Sequence, residues 1–373
     1  MFGMTKENQP KRLLCIVNTI NAGGAETFLM KLYRALDKTK YQMDFYCMSL
    51  EKGYYEEEIK ELGGKVYYAV PKSQNWIKAF LTLKNVVKEN KYEYVMRVSQ
   101  HSLATVDLIA AKMGGAKTLV QRSSNSNAAS EIGRVLHNLF KWLPMTIPNV
   151  KIAPSTEAAE YTFGKNCVEN GKAMLVKNAI PLDSFLFNKE KREKLRKELN
   201  LDDKFVVGHV GRFDTQKNHS YLIDVFSEIV KRNADSILVL TGKGSLENNI
   251  RKKVEMMGLV EKVIFTGVRS DVPDIMMAMD VFIFPSLYEG MPNTVIEAQG
   301  TGLPCIISDT ITREADITGN IEYLTINKEP EKWAEKALTY SNGYERGNVQ
   351  KAFVKKGYDI NFESKKLMEL VTK

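Results

Sequence analysis

Short apolar runs alternate with helix-forming stretches along almost the whole chain, and the alternation breaks once and then restarts. In the first series the apolar runs are RLLCIVNTI (12–20), YQMDFYCMSL, KVYYAV, YEYVMRVS, KTLVQRS and VKIAPS. Between them lie a helix ending near Asp37, EEEIKELGG, an amphipathic helix from Trp76 to Asn90, SLATVDLIAAKMG and a helix from Glu131 to Leu143. Strand-length runs separated by helices specify βα units and a parallel sheet. The rhythm breaks at a proline-containing loop, KNAIPLDSFLFNKE (177–190), which leads into the charged helix KREKLRKELN. It resumes with KFVVGHVGRF, a helix from Tyr221 to Asn233, SILVLTGKG, a helix to Gly258, KVIFTG, DVPDIMMAMD, VFIFPS, PCIIS and IEYLTI. The expected architecture is α/β, with two Rossmann-like doubly wound domains at residues 1–182 and 183–373. The length of 373 residues suits two such cores. Ligands of doubly wound sheets bind beyond the carboxyl ends of the strands. Two domains facing each other would therefore place a site in the cleft between them.

Within the second series, Phe284–Ser308 (FPSLYEGMPNTVIEAQGTGLPCIIS) holds the densest chemistry. A strand end runs through the turn Glu289–Gly290–Met291–Pro292–Asn293 into a helix expected to start at Thr294, with Asn293 as N-cap. First-turn amides and the positive end of the helix dipole make an anion site suited to phosphate. Glu289 and Glu297 bracket it, eight residues apart. Amides for a diphosphate and carboxylates for hydroxyls are what a sugar nucleotide needs. The plain alternative is a strand–turn–helix corner with solvated glutamates.

The restart strand ends in GHVGRFDTQKNH, where Gly211 allows a tight turn and Arg212 and Lys217 project from the carboxyl end. Two cations beside an anion-binding helix can stabilise a departing β-phosphate in place of a metal ion; read alone they are equally two solvated loop residues. Gly23 and Gly24 in AGGAE form a second phosphate-type turn, but without the full G-x-G-x-x-G and its later acidic residue. That argues against a nicotinamide or flavin enzyme. Gly242 and Gly244, and Gly267, Val268 and Arg269, fall at strand ends as walls for a base or as plain loops. Among the histidines, His209 reads as structural, His219 as a helix cap and His137 as a helix-face residue. His101, with Arg122 and Asn125 in QRSSNSN, lies at strand ends on the acceptor side.

Composition narrows the setting. No run approaches the roughly 18 apolar residues of a membrane span, and the polar start MFGMTKENQPKR lacks a signal-peptide core. Four scattered cysteines without CxxC or histidine pairing suggest buried thiols of a reduced compartment, so the expected location is cytoplasmic. The charge excess lies entirely in residues 1–175, with 24 Lys and Arg against 16 Asp and Glu; the remainder has 29 of each. A basic half calls for an anionic partner. Without zinc-finger spacing or RNP-type aromatics, nucleic acid is not expected and an anionic membrane is favoured. The helix from Trp76, with Lys78, Lys84 and Lys88 among apolar residues, could lie on such a surface or pack on its own sheet.

GGAETFLMKLY, GHVGRFDTQKNH and GVRSDVPDIMMAMDVFIFPSLYEGMPNTVIEAQGTGLPCIISDTI together resemble the retaining GT-B glycosyltransferases, specifically glycosyltransferase family 4 members of capsule and exopolysaccharide assembly. The resemblance runs nearly end to end, and its specific elements are E-x7-E (Glu289, Glu297) and R-x4-K (Arg212, Lys217). It implies a UDP-sugar donor, no metal ion and no other cofactor, and transfer with retention to a lipid-linked or oligosaccharide acceptor at the inner face of the membrane. By that likeness Arg212 and Lys217 hold the diphosphate, Glu297 the ribose and Glu289 the donor sugar. Amides near Asn293 and Thr294 cradle phosphate, the Val268–Arg269 backbone reads the base, and Gly24 approaches the phosphates from the first domain. The last helix, about 361–371, crosses back to the first domain. The fifth strand departs from the family pattern, carrying Arg122 or Ser123 where a histidine is common, which removes the usual basis for a side-chain general base. Rivals are a UDP-sugar epimerase or hydrolase of the same fold and a non-catalytic partner subunit.

Overall fold

Both apolar series close into all-parallel sheets with the same winding. The computed structural model describes residues 9–21, 23–99, 101–123, 131–327 and 329–373. The first sheet contains β1 (Lys11–Val17), β2 (Tyr41–Cys47), β3 (Val66–Tyr68), β4 (Tyr94–Ser99), β5 (Thr118–Ser123), β6 (Val150–Ala153) and β7 (Met174–Leu175). The second contains β8 (Phe205–Val210), β9 (Ser236–Thr241), β10 (Val263–Gly267), β11 (Val281–Phe284), β12 (Cys305–Ser308) and β13 (Ile321–Leu324). Their orders are β3-β2-β1-β4-β5-β6-β7 and β10-β9-β8-β11-β12-β13. The direction of winding reverses between β1 and β4 and between β8 and β11. A doubly wound sheet opens its ligand crevice at such a reversal. Helices cover both faces, so β8, β9, β11 and β12 are buried at every position and read as continuous apolar runs rather than alternating ones.

The chain divides into Met1–Pro181 with Gly357–Lys373, and Leu182–Lys356. The second body therefore opens at Leu182 rather than residue 183, and the returning segment begins at Gly357, ahead of its helix. Ile180 N–H donates to Tyr358 O and Ile360 N–H to Ile180 O, both at 3.0 Å. The helix Ile360–Val371 then packs on the helix Gly24–Ala35, adding Ile360, Leu367, Met368 and Val371 to the first core. Buried Glu363 accepts Lys177 N–H at 2.9 Å, and burial raises its pKa.

The charged helix Lys189–Glu198 buries only Leu195 and Arg196. Arginine donors hold it in place of apolar contact. Arg192 reaches Asp280 at 2.5 Å and Met279 O at 2.7 Å, while Arg196 reaches Ala278 O at 2.8 Å and Leu201 O at 2.7 Å. These bonds occupy acceptors ahead of β8 and β11, at the end of the sheet opposite its ligand crevice.

Three helix boundaries differ from expectation. The helix expected over Glu131–Leu143 is two, Glu131–Leu139 and Trp142–Thr146. Pro144 has no N–H to continue the first helix but is tolerated in the opening turn of a second. The helix expected from Tyr221 starts at His219, after Asn218 in the left-handed conformation (φ 54°). The helix expected from Thr294 runs Asn293–Gly300. Val295 and Ile296 N–H both reach Pro292 O, at 3.1 and 3.2 Å, so Pro292 rather than Asn293 holds the N-cap position.

Candidate functional site

At the reversal of the second sheet, β8 is followed by Gly211 and Arg212, and β11 by Pro285 and Ser286. Two loops leaving these strands are joined by one residue. Gln216 O accepts Leu287 N–H at 2.8 Å, and Gln216 Nε2 donates to Tyr288 O at 2.9 Å. Lys217, the next residue, is thereby set against Glu289, with Nζ 2.5 Å from Oε1. The side chains of this pair are only 17% and 9% exposed, so solvent screens them little. Lys217 Nζ also lies 4.6 Å from the centre of the Phe284 ring, which favours the cation there. Its backbone N–H donates to Asp214 Oδ1 at 3.1 Å. Arg212 is exposed, and among the described residues its guanidinium has no partner.

The Glu289 turn feeds the helix Asn293–Gly300, whose first residues and Glu297 are half-buried. One flank of the site is backbone. Gly211 N–H donates to Thr241 O at 3.0 Å and Gly242 N–H to Gly267 O at 2.8 Å, linking the ends of β8, β9 and β10. Val268 is exposed beyond them. The Arg269 side chain is committed to Asp271, at 2.7 and 2.5 Å, so Arg269 offers its backbone rather than its charge. This arrangement sets two cations, one carboxylate bound to one of them, and a helix N-terminus around the end of β8 and β11. Such a set can hold a diphosphate and accept hydrogen bonds from sugar hydroxyls.

Beneath the site, His209 and His219 are buried with ring centroids 4.6 Å apart. His209 Nδ1 pairs with Ile283 O at 2.8 Å, while His209 Nε2 and both His219 nitrogens have no partner among the described residues. His219 stacks on Phe213 and is the first residue of its helix, not its cap. Burial lowers both pKa values, that of His219 from 6.5 to about 4, with Lys217 adding to the effect. Below pH 6.5 the unfolded chain gains a proton that the folded unit refuses, so stability falls as pH falls toward 4. The shift corresponds to about 3 kcal/mol from His219 alone. Denaturant unfolding of His219→Phe is expected to show a correspondingly shallower loss over that window.

The reversal of the first sheet carries a separate notch of about 60 Å³, whose lining includes Asn18, Glu26, Arg97, Ser99 and His101. Arg97 is buried, donating to Ile16 O at 3.1 Å, Val98 O at 2.7 Å and Asn18 Oδ1 at 3.0 Å, and it faces Asp107 at 2.9 Å. Desolvation raises the Glu26 pKa against the opposing pull of its own amide and Arg97. Desolvation lowers that of His101, with Arg97 and Lys72 adding. A volume of this size holds one polar substituent or two waters, not a sugar ring. Gly24 is exposed at the start of its helix nearby, after Gly23 as N-cap.

Arg122 does not join this notch. It is buried within β5, 3.8 Å from the Phe28 ring centre and 2.6 Å from Asn178 Oδ1, and desolvation lowers its pKa to about 9. The expectation of an accessible acceptor-side arginine is thereby corrected, because the side chain points into the core. Asn125 lies outside the described residues. His137 is internal, bonded to Ser102 at 3.0 Å and Tyr161 O at 2.9 Å. Asn18, Glu26, Arg97 and Ser99 escaped the sequence reading. Their available signals were a charge inside an apolar strand (Arg97) and the acid closing the AGGAE turn. Among the described residues no group of acidic, histidine and cysteine side chains is placed to hold a metal ion. All four cysteines are buried and unpaired.

Comparison with known proteins places this geometry. The family model described as Glycosyl transferases group 1 matches residues 204–342, wholly within the second unit. EpsF of Bacillus subtilis (strain 168), which carries the name of a glycosyltransferase, is 31% identical over 360 residues, covering 94% of this chain and 93% of its own. The Escherichia coli UDP-Gal:alpha-D-GlcNAc-diphosphoundecaprenol alpha-1,3-galactosyltransferase is 32% identical over 242 residues, 62% of each chain. Among solved structures, Anabaena Alr3699/HepE in complex with UDP and glucose shares the fold. Its TM-score is 0.75 at 18% identity, over 97% of this chain and 99% of the other. An end-to-end relative and two parallel sheets wound alike lead to one assignment: the chain is a glycosyltransferase of the GT-B fold, with a group 1 glycosyltransferase region at residues 204–342.

Proposed function

We propose that this glycosyltransferase moves a hexose or hexosamine from a UDP-sugar to a lipid-linked or oligosaccharide acceptor, with retention and without a metal ion, in exopolysaccharide or capsule assembly. The observation that carries the reading is the shielded Lys217–Glu289 pair at the end of β8 and β11, beside Arg212 and the helix Asn293–Gly300. Lys217 and Arg212 oppose the charge that gathers on the β-phosphate as its bond to the anomeric carbon breaks. The acceptor oxygen forms its bond to that carbon on the same face, and its proton passes to the departing phosphate oxygen. No side-chain base is then required. Glu289 Oε1 is held by Lys217, leaving Oε2 for a donor-sugar hydroxyl. Glu297 takes the ribose, amides near Asn293 and Thr294 the phosphate, and the Val268–Arg269 backbone the base, with Gly211, Gly242, Gly290, Met291 and Pro292 shaping the walls. The notch at Glu26 and His101 takes one polar group of the acceptor.

Two relatives support the donor and acceptor classes. The Escherichia coli protein is named for transfer from UDP-Gal to a GlcNAc-diphosphoundecaprenol, and the Anabaena protein was crystallised with UDP and glucose. A lipid-linked acceptor places the reaction at the inner face of the cell membrane, where nucleotide sugars are made. Among the described residues no helix is long and apolar enough to cross it. The test is a transfer assay with a panel of UDP-sugars and undecaprenyl-diphosphate-linked acceptors, run with excess EDTA. Transfer at full rate, with the donor's anomeric configuration kept in the product, is expected. Loss of activity in EDTA restored by magnesium or manganese would overturn the metal-independent mechanism. Turnover of UDP-sugar without any acceptor would favour an epimerase or hydrolase. Glu26→Gln is expected to raise the acceptor KM while leaving the donor KM unchanged.

A further inference from the structure

The notch at the reversal of the first sheet, about 60 Å³, admits one polar substituent. A saccharide that uses it must therefore rest its ring on a surface outside. The loop after β2, residues 48–55, folds across the end of β1 and supplies one. Tyr55 N–H donates to Ile20 O and Tyr54 N–H to Asn21 Oδ1, both at 3.0 Å. A Cβ at Gly53 would stand 2.4 Å from Ile20 Cγ1, so the glycine is what lets the two loops touch. On the other side, Gly53 N–H donates to the Tyr68 hydroxyl at 3.4 Å, and that hydroxyl donates to Glu56 Oε2 at 2.6 Å. The backbone from Gly53 to Glu56 is thus pinned from two sides.

Two adjacent tyrosines leave this turn in opposite ways. Tyr55 is buried, its hydroxyl 2.9 Å from Thr27 Oγ1. Tyr54 is 75% exposed, and its ring meets that of Tyr55 edge to face, with centroids 5.0 Å apart and planes at 79°. An aromatic side chain has few rotatable bonds, so one already held through its backbone and a neighbouring ring loses little freedom when a ligand covers it. Both attachments tie the ring to the notch. Ile20 and Asn21 follow shortly after Asn18, and Thr27 is the residue after Glu26, and Asn18 and Glu26 both line the notch.

Chemistry selects the ligand. The face of an aromatic ring is electron-rich. The C–H groups on one side of a pyranose are its electropositive and weakly hydrated surface, while its hydroxyls point around the rim. A pyranose laid on Tyr54 buries its C–H side and keeps its hydroxyls free to hydrogen-bond, one of them into the notch. We propose that Tyr54 is the stacking platform for the saccharide ring of the acceptor, and that it favours rings whose stacked face carries no axial hydroxyl. This rests on the reading of the chain as a transferase to a saccharide acceptor, and names the surface that reads that acceptor.

The test pairs a binding measurement with kinetics. Saturation-transfer NMR is run on the full chain, irradiating aromatic protons, with methyl pyranosides of glucose, galactose, N-acetylglucosamine and N-acetylgalactosamine. Signal is expected at ring C–H protons, and Tyr54→Ala is expected to reduce it about fivefold or more. Tyr54→Phe and Tyr54→Trp, which keep a π face, should retain it, whereas Tyr54→Leu, which keeps only apolar bulk, should not. In the transfer assay Tyr54→Ala should raise the acceptor KM about five- to tenfold while kcat and the donor KM change less than about twofold. Unchanged thermal unfolding separates lost binding from lost folding. The inference is overturned if Tyr54→Ala leaves both the saccharide signal and the acceptor KM unchanged. It is overturned equally if Tyr54→Phe loses as much as Tyr54→Ala, which would make the hydroxyl the contact, or if the donor KM rises instead. Saccharide binding that depends on Tyr54 without any transfer would uphold the platform and sink the transferase reading. Transfer that is indifferent to Tyr54 would do the reverse.

Discussion

Lys217→Ala is expected to lower turnover of a UDP-sugar by about 10²–10³-fold, the usual effect of removing one preorganised donor to a developing oxyanion. Steady-state kinetics should show the loss mainly in kcat, because the charge that Lys217 opposes is largest when the phosphate departs and smaller in the bound donor. The structure separates this from a trivial folding defect. Lys217 and Glu289 are 2.5 Å apart and largely shielded from solvent, so deleting the lysine alone leaves a shielded carboxylate without its cation. Removing one member of such a pair is more damaging than removing both. The double variant Lys217→Ala with Glu289→Gln should therefore recover much of the lost unfolding free energy while remaining inactive. Recovery of activity along with stability would show that the lysine acts only by holding the loop. Lys217→Arg is a sharper control. Its broader, planar head must fit a site bounded by Glu289 and the Phe284 ring at 4.6 Å, so retained charge with displaced geometry should still cost most of the rate.

Gly242→Ala is expected to destabilise the second unit by about 3 kcal/mol or more, for two separable reasons. The residue has φ +137°, outside the region open to side-chain-bearing residues, and an added Cβ would stand 2.1 Å from Gly211 O. That neighbour is backbone, held by the bond from Gly211 N–H to Thr241 O at 3.0 Å, and cannot swing away. Relief requires moving the turn that carries Arg212, so donor binding should be lost together with stability. Gly258→Ala isolates the backbone term. It also has positive φ (+68°), but nothing stands within 4 Å of the added Cβ. It should cost only about 1–2 kcal/mol and leave donor binding unchanged. Calorimetric melting should show the contrast as a drop of roughly 6–12 °C for Gly242→Ala in a unit of this size. Equal shifts for the two variants would mean that the close approach to Gly211 contributes nothing.

The loops that carry Lys217 and Glu289 were legible because each follows a strand end, and strand ends can be located from apolar runs alone. Glu289 and Lys217 are 72 positions apart, yet both fall just beyond strands that a doubly wound order makes neighbours. What placed them side by side was Gln216, a residue with no distinguishing chemistry, whose backbone and side chain both grip the Leu287–Tyr288 backbone. On the acceptor side the reading was poorer. Arg122 and His101 are both near strand ends, but β5 extends far enough that Arg122 turns inward onto Phe28 while His101 remains outside. The helix expected over Glu131–Leu143 is two in the structure, and Val135, Leu139 and Trp142, which share a helical spacing, are turned to solvent.

Period, run length and turn residues are local properties, so the sequence by itself determined the α/β class, the two βα series and the break between them. They also mark which loops end at the ligand side of each sheet. Depth and direction are not local. Whether a helix's apolar stripe meets a sheet or water depends on what else covers that sheet. Here the turn Ser102–Thr105 receives the His137–Leu143 side of its neighbours and leaves Leu139 and Trp142 exposed. The return of Gly357–Lys373 to the first unit, through bonds between Ile180 and residues 358 and 360, is likewise a long-range pairing that no window of the sequence contains. Only the tertiary structure decided these, because burial is shared among segments distant in the chain.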